Sequence, residues 1–399
     1  MLELEPIDAR VVTGDHAAAV VAPAYDALSA EQRATWVAEQ PATFLGCLPT
    51  GTTTTEGLAA NRRCLERLVA TGRFGPLQRD LLLVLELTDA GRTVTAVLGD
   101  VDVAAYLDGR IRPHEHVRPD RVAELARYLD SVEVASSPVC VLHEPSDPLA
   151  AAVAAVREGP PLLDVSLPDG ARIRLWRTEQ PAARAALQAG VRHLAACTVA
   201  DGHHRAAAVA HRLGPTAGAQ PQRADPPDPA RRVLTAFVPA DQLAIAAFHR
   251  RIDGLGEVRA EDLLALLATL GLDAAPLPGS QVPTSTGDVH LTVDGRWWRV
   301  HLGDRPGPGA AGHLDASIAD RVLVPAIATL AEGPTPARVV PVAAPLGLTA
   351  LERYGAIGLA LAPATMTDLL VVTGAGEVLP HKSTYLAPKL RSGVLVVPR

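Results

Sequence analysis

The chain has 399 residues, too many for one ordinary hydrophobic core, so two or perhaps three domains are expected, and with 48% apolar residues it has the material to bury them. Its formal net charge of −7, with both signs interspersed, offers no basic face to a nucleic-acid backbone. Apolar runs stay well below the roughly 20 residues that a membrane span needs, and the acidic start, Met1-Leu-Glu-Leu-Glu-Pro, lacks the basic opening of an export signal; the expectation is a cytoplasmic protein with neither nucleic acid nor membrane as partner.

Along the chain, 81–88 and 93–98 read as two strands joined by the glycine-containing turn Asp89-Ala-Gly-Arg. Val122, Leu125 and Leu129 recur at helical spacing and predict a helix over 119–129. The apolar run 194–200 is broken by Asp201-Gly202 and followed by an Ala-rich segment that Gly214 closes, a strand-turn-helix pattern. Residues 214–230 carry five prolines and no apolar period and are expected to be a disordered loop. Strands are predicted at 233–238 and 243–248, a helix at 261–270, strands at 288–293 and 297–302, a helix at 316–328, and strands near Arg338 and Leu369. Placing the boundary near residue 254 gives a first domain, 1–253, with an N-terminal extension, and a second mixed domain, 254–399. The four cysteines, Cys47, Cys64, Cys140 and Cys197, lie far apart in sequence without metal-ligand spacing and read as buried small hydrophobes.

Three segments carry chemistry. Gly109-Arg-Ile-Arg-Pro-His-Glu-His-Val-Arg-Pro-Asp-Arg packs ionisable groups between prolines, with Glu115 flanked by His114 and His116 and placed to accept a hydroxyl proton. A solvated charged loop has the same composition. Asp201-Gly202-His203-His204-Arg205 puts a glycine, an acid and three donors at a helix amino terminus, which is a natural anion site; the plain alternative is an Asp cap with exposed histidines. Gly376-Glu-Val-Leu-Pro-His-Lys-Ser-Thr offers Lys382, Ser383 and Thr384 to a phosphate or a substrate, or is an ordinary basic turn. There is no GxxxxGK[ST] loop, and His114-Glu115-His116 does not have HExxH spacing.

Together with Pro23-Ala-Tyr-Asp26, Asp120-Arg121, Ser137-Pro138, Phe248-His-Arg250 and Pro388-Lys389, these stations resemble the domain-of-unknown-function family numbered 1015, and through it the ParB/sulfiredoxin-like superfamily with its free serine kinases. The resemblance implies a mixed α/β (α+β) fold, a ParB/sulfiredoxin-like nucleotide-binding core followed by the second mixed domain. It implies a kinase that moves phosphate from ADP or ATP, with Mg²⁺, to the hydroxyl of free L-serine or a related small compound. The catalytic roles then fall on Glu115, His114, Asp201 and His204, and nucleotide binding on Asp201, Gly202, His203, His204, Arg205 and Arg112. Lys382, Ser383 and Thr384 bind the substrate. The serine kinase continues this last motif with Arg-His where this chain has Tyr385-Leu386, and Arg250 is the chemical substitute for the missing guanidinium. Two alternatives stand beside this reading: a ParB-like regulatory protein that binds or hydrolyses a nucleotide without an acceptor, and a transition-metal site built from His114, His116, His203 and His204.

Overall fold

The hairpin expected from the alternation of apolar residues forms: Leu83–Asp89 and Arg92–Asp102 pair antiparallel down to Asp89↔Arg92, and the two loop residues, Ala90 and Gly91, both take positive φ, the turn that matches strand twist. In this computed structural model the described residues are 1–24, 27–49, 54–214, 228–303, 305–331 and 336–399. Tyr25 and Asp26 of the Pro23-Ala-Tyr-Asp26 station and most of the proline-rich loop, residues 215–227, lie outside them.

The fold is mixed α/β and divides into two units. The first comprises residues 1–113, 117–244 and 388–399. Its eight-stranded sheet runs in the order Ile111–Arg112, Cys197–Asp201, Val139–His143, Arg232–Pro239, Arg92–Asp102, Leu83–Asp89, Arg172–Arg177, Leu163–Ser166. Two of its pairings are parallel, 111–112 with 197–198 and 139–143 with 235–239, and the others are antiparallel. Helices Asp147–Arg157, Pro181–Arg192 and His203–Leu213 bury Leu149, Leu187 and Val209 against Val84, Val141 and Val199 of this sheet, in one apolar core. A four-stranded sheet, Gln78–Leu81, Ile7–Val11, Leu395–Pro398, Val134–Ala135, places the C-terminal segment beside the N-terminal one.

The second unit comprises residues 114–116 and 245–387. Its sheet runs Ala274–Leu277, Arg296–His301, Asp288–Val293, Ala356–Leu361, Ala244–Asp253, Arg338–Ala343, and Thr384–Ala387 also pairs with Ala244–Asp253. Leu291, Trp298, Ile252 and Ile357 pack with Leu263 and Leu267 of the helix Ala260–Thr269 and with Leu323 and Ile327. The chain therefore changes unit within the strand 244–253, and its last twelve residues return to the first unit.

Two elements differ from the sequence expectation. Leu369 lies in a helix, Met366–Gly374, and not in a strand. Its start is fixed by a reciprocal cap in which the Thr365 hydroxyl accepts from the Asp368 N–H and the Asp368 carboxylate accepts from the Thr365 N–H; this outweighs the β preference of Val371 and Val372. The expected helix 316–328 is real but interrupted: Asp315–Ile318 leads into a π-turn, Ala319–Leu323, before Val324–Ala328. Such a turn inserts an extra residue, and Asp320, whose carboxylate meets Arg250, lies in it.

Candidate functional site

In the first unit the strand Cys197–Asp201 ends in a bulge. Val199 stands opposite Val141, yet Asp201 stands opposite Cys140, so Ala200 is the extra residue that re-aims Asp201. Gly202 follows at φ +98° as the cap of the helix His203–Leu213. Two constraints make it a glycine. Its φ belongs to the left-handed region, and a Cβ would lie 2.6 Å from Nη2 and 2.8 Å from Nε of Arg205, which folds back over it. Arg205 Nη2 donates to Asp201 Oδ2 at 2.7 Å and to the Pro138 carbonyl at 3.2 Å. Its Nε is buried without a hydrogen-bond partner. Lys389 Nζ donates to Asp201 Oδ1 at 3.0 Å.

Both Asp201 oxygens thus hold cations, and the geometry gives this residue the task of keeping Arg205 and Lys389 at the turn. Two cations and one carboxylate at the positive end of an 11-residue helix leave a field that attracts anions. His203 is buried on the core side of the helix. The ring of His204 accepts the Arg118 N–H at Nε2, 3.0 Å away, so its proton is on Nδ1 and it caps the helix Pro119–Val132. Arg112 is exposed and sits in the strand paired with this one, opposite Thr198.

In the second unit the His114–His116 segment bridges to the loop after the helix Met366–Gly374. Glu115 pairs with Leu379, and the Leu379 N–H donates to the His114 carbonyl at 2.8 Å. Glu115 Oε2 accepts the Lys382 N–H at 3.2 Å and lies 3.7 Å from His381 Nδ1. Lys382 adopts φ +57°, a conformation rare outside glycine, and this turns its N–H toward the carboxylate. Its ammonium lies 5.2 Å from the centre of the Phe248 ring. His114 Nε2 and the Thr384 hydroxyl are 3.0 Å apart, and the Ser383 hydroxyl donates to the Pro380 carbonyl at 2.6 Å.

Arg250 does not take the place expected for it. It is only 3% exposed, and all five of its N–H groups are engaged: Nε and Nη2 on the Asp320 carboxylate at 2.9 and 3.0 Å, and Nη1 and Nη2 on the carbonyls of Phe248, His249, His381 and Lys382. It is a strut that fixes the 381–382 backbone, with no donor left for a substrate carboxylate. Among the described residues no group of three or more His, Cys, Asp or Glu side chains is arranged to hold a metal ion, and His114 and His204 each have a ring nitrogen engaged, with Thr384 and Arg118. Sequence reasoning did not place Lys389 beside Asp201 or Asp320 beside Arg250. The Pro388-Lys389 pair was the available signal for the first; nothing in the sequence pointed to the second.

Solved structures similar to the chain at low identity include these three. A C-terminally truncated SbnI from Staphylococcus aureus is 12% identical, with a TM-score of 0.41 and coverage of 75% of this chain and 87% of the other. A variant free serine kinase in complex with AMP is 13% identical, with a TM-score of 0.38 and coverage of 76% and 92%. A conserved hypothetical protein from Pyrococcus furiosus is 12% identical, with a TM-score of 0.35 and coverage of 75% and 95%. No curated protein matches the chain. The family described as "Protein of unknown function (DUF1015)" matches residues 4–322, and the chain belongs to that family.

Proposed function

We propose that this protein is a small-molecule kinase that binds a nucleoside di- or triphosphate at the Gly202 turn and phosphorylates the hydroxyl of free L-serine or a closely related compound. The observation that carries the reading is the turn itself. A glycine whose Cβ position is closed by Arg205, and an arginine Nε left unsatisfied in a buried place, are what a phosphate oxygen would complete. The second support is the motif resemblance, which covers stations from Pro23 to Lys389. The ParB/sulfiredoxin-like ancestry of the core belongs to the same proposal.

In this scheme Arg205 and Lys389, anchored by Asp201, draw in and orient the phosphates, and the dipole of the helix His203–Leu213 adds to their field. Glu115, held by the Lys382 N–H and faced by His381, accepts the proton of the attacking hydroxyl. His114 fixes the segment through Thr384, and Lys382, Ser383 and Thr384 shape the loop beside the carboxylate. ADP or ATP with Mg²⁺ would supply the phosphoryl group and neutralise the charge that develops on the leaving oxygen. With both Asp201 oxygens committed, the phosphates themselves are the natural ligands for the ion.

The test is phosphorus NMR of the purified protein with Mg²⁺, ADP or ATP, and L-serine, run beside Glu115→Gln and a sample without serine. A phosphomonoester signal that requires serine and falls by about 10²-fold or more in Glu115→Gln, with nucleotide binding retained, supports the kinase. Nucleotide loss that is independent of serine would move the reading to a regulatory nucleotide hydrolase.

A further inference from the structure

The cysteines are far apart in sequence, yet in the first unit the fold brings two of them together. Cys47 closes the short turn Phe44–Cys47, and Cys64 lies in the helix Thr55–Ala70. Their Sγ atoms are 2.6 Å apart, only about 0.6 Å beyond the roughly 2.0 Å of a disulfide bond. The contact is held from several sides. The Asn61 amide, one helical turn before Cys64, donates to the carbonyls of Gly46 and Leu48 at 3.0 and 2.9 Å, bracketing Cys47. The Tyr128 hydroxyl donates to the Cys47 carbonyl at 2.8 Å, and Arg67 Nη2 donates to the Pro41 carbonyl at 3.0 Å. These hydrogen bonds keep the two sulfurs within a short shift of bonding distance.

The two thiols are also chemically unequal. The hydrogen bond from Cys47 favours the thiolate of Cys64, and so does Arg67, whose Nη2 lies 3.8 Å from its sulfur; burial opposes them, and the net direction is down. Cys47 moves up as the proton holder of the pair. The other two cysteines contrast with this: Cys140 and Cys197 sit on strands of the large sheet, and burial pushes both thiols up to about 12.

We propose that Cys47 and Cys64 form a reversible disulfide that joins the Phe44–Cys47 turn to the helix Thr55–Ala70. A small peroxide is the class of oxidant that suits so buried a pair, since Cys47 is 0% and Cys64 only 6% exposed. The Cys64 thiolate attacks a peroxide oxygen, forming a sulfenic acid and releasing hydroxide, which takes up a proton to give water. Cys47 then attacks the sulfenic sulfur, its thiol proton leaves with the hydroxyl as a second water, and the S–S bond forms. Two thiols lose two electrons and two protons, and hydrogen peroxide becomes two waters. A dithiol reverses the step through a mixed disulfide.

The experiment treats the full chain with hydrogen peroxide, quenches it, alkylates it after denaturation, and maps the peptides by mass spectrometry. The expected result is the loss of two of four alkylatable thiols, a cross-linked pair of peptides containing Cys47 and Cys64, and recovery of all four thiols with dithiothreitol. The oxidised protein should also melt several degrees higher, and Cys47→Ser and Cys64→Ala should each abolish both the cross-link and the shift. The peptide map of the unsubstituted protein decides the matter even if a variant folds poorly. Four free thiols after treatment, a cross-link through Cys140 or Cys197, or oxidation of Cys64 to a sulfinic acid with Cys47 still free would each overturn the proposal.

Discussion

Replacing Asp320 with alanine tests whether the Arg250 strut orders the loop that carries Lys382. The carboxylate meets the guanidinium at two points, 2.9 and 3.0 Å, and Arg250 itself is buried. In Asp320→Ala the carbonyls of Phe248, His249, His381 and Lys382 remain, but the buried positive charge loses its counter-ion. Breaking a buried pair in this way costs about 3–5 kcal/mol. Because the Asp320 side chain is 32% exposed and water can reach the vacated side, about 2–3 kcal/mol is expected here. Urea denaturation followed by tryptophan fluorescence reads the loss, because Trp297 and Trp298 are buried in the same unit. Hydrogen exchange reads its location, because the Lys382 N–H that donates to Glu115 should exchange faster once Arg250, without its counter-ion, holds the carbonyls of 381 and 382 less firmly. A destabilisation below about 1 kcal/mol, or unchanged exchange across 379–386, would refute the strut.

Gly202→Ala should lower affinity for ADP at least 10-fold by titration calorimetry, because the new methyl strains the backbone and displaces Arg205; Gly72→Ala, at φ +69° with open space around it, provides a control for backbone strain alone. Equal ADP affinity in both variants would count against the turn as the phosphate site. Asp315, 4% exposed, has its carboxyl pushed up to about 6 by burial first and by Asp288 second, against hydrogen bonding from Gly287 and the nearby His301 and His313. A group that holds its proton more tightly when folded contributes stability below the unfolded value near 4 and loses it as the pH rises through 6. Asp315→Asn should therefore be more stable than the parent at pH 7.5, by on the order of 2 kcal/mol, and lose that advantage near pH 4, as urea midpoints at the two pH values will show. The same difference at both would mean that the carboxyl titrates normally.

Local chemistry was legible in the sequence wherever neighbours along the chain decide the structure. The alternation of 81–98 fixed a hairpin, Asp201-Gly202 ended a strand and opened a helix, and the strand Asp288–Val293 fell where its pattern placed it. The helix Met366–Gly374 was misread because its interior is Leu-Leu-Val-Val and the evidence for it lies in the cap outside that run. Arg250 was read as the substitute for a guanidinium missing after Lys382-Ser-Thr384, and its partner, Asp320, comes from a π-turn seventy residues away. Lys389 reaches Asp201 across a sequence separation of 188, and the Cys47–Cys64 contact depends on Asn61 and Tyr128, so no spacing rule announces either. The reading of Glu115 needed only its own tripeptide, but the N–H and imidazole facing it come from 381–382.

The return of residues 388–399 to the first unit has a consequence for how the protein is made. The strand Leu395–Pro398 fills the place between Ile7–Val11 and Val134–Ala135, and Lys389 belongs to the same segment. On the ribosome, residues up to 239 can close the eight-stranded sheet early, yet the smaller sheet must wait, with two strand edges unpaired, until more than a hundred further residues have been synthesised. The first unit thus matures after the second has been translated, and a message cut short before residue 388 yields a chain lacking both that strand and the lysine that holds Asp201.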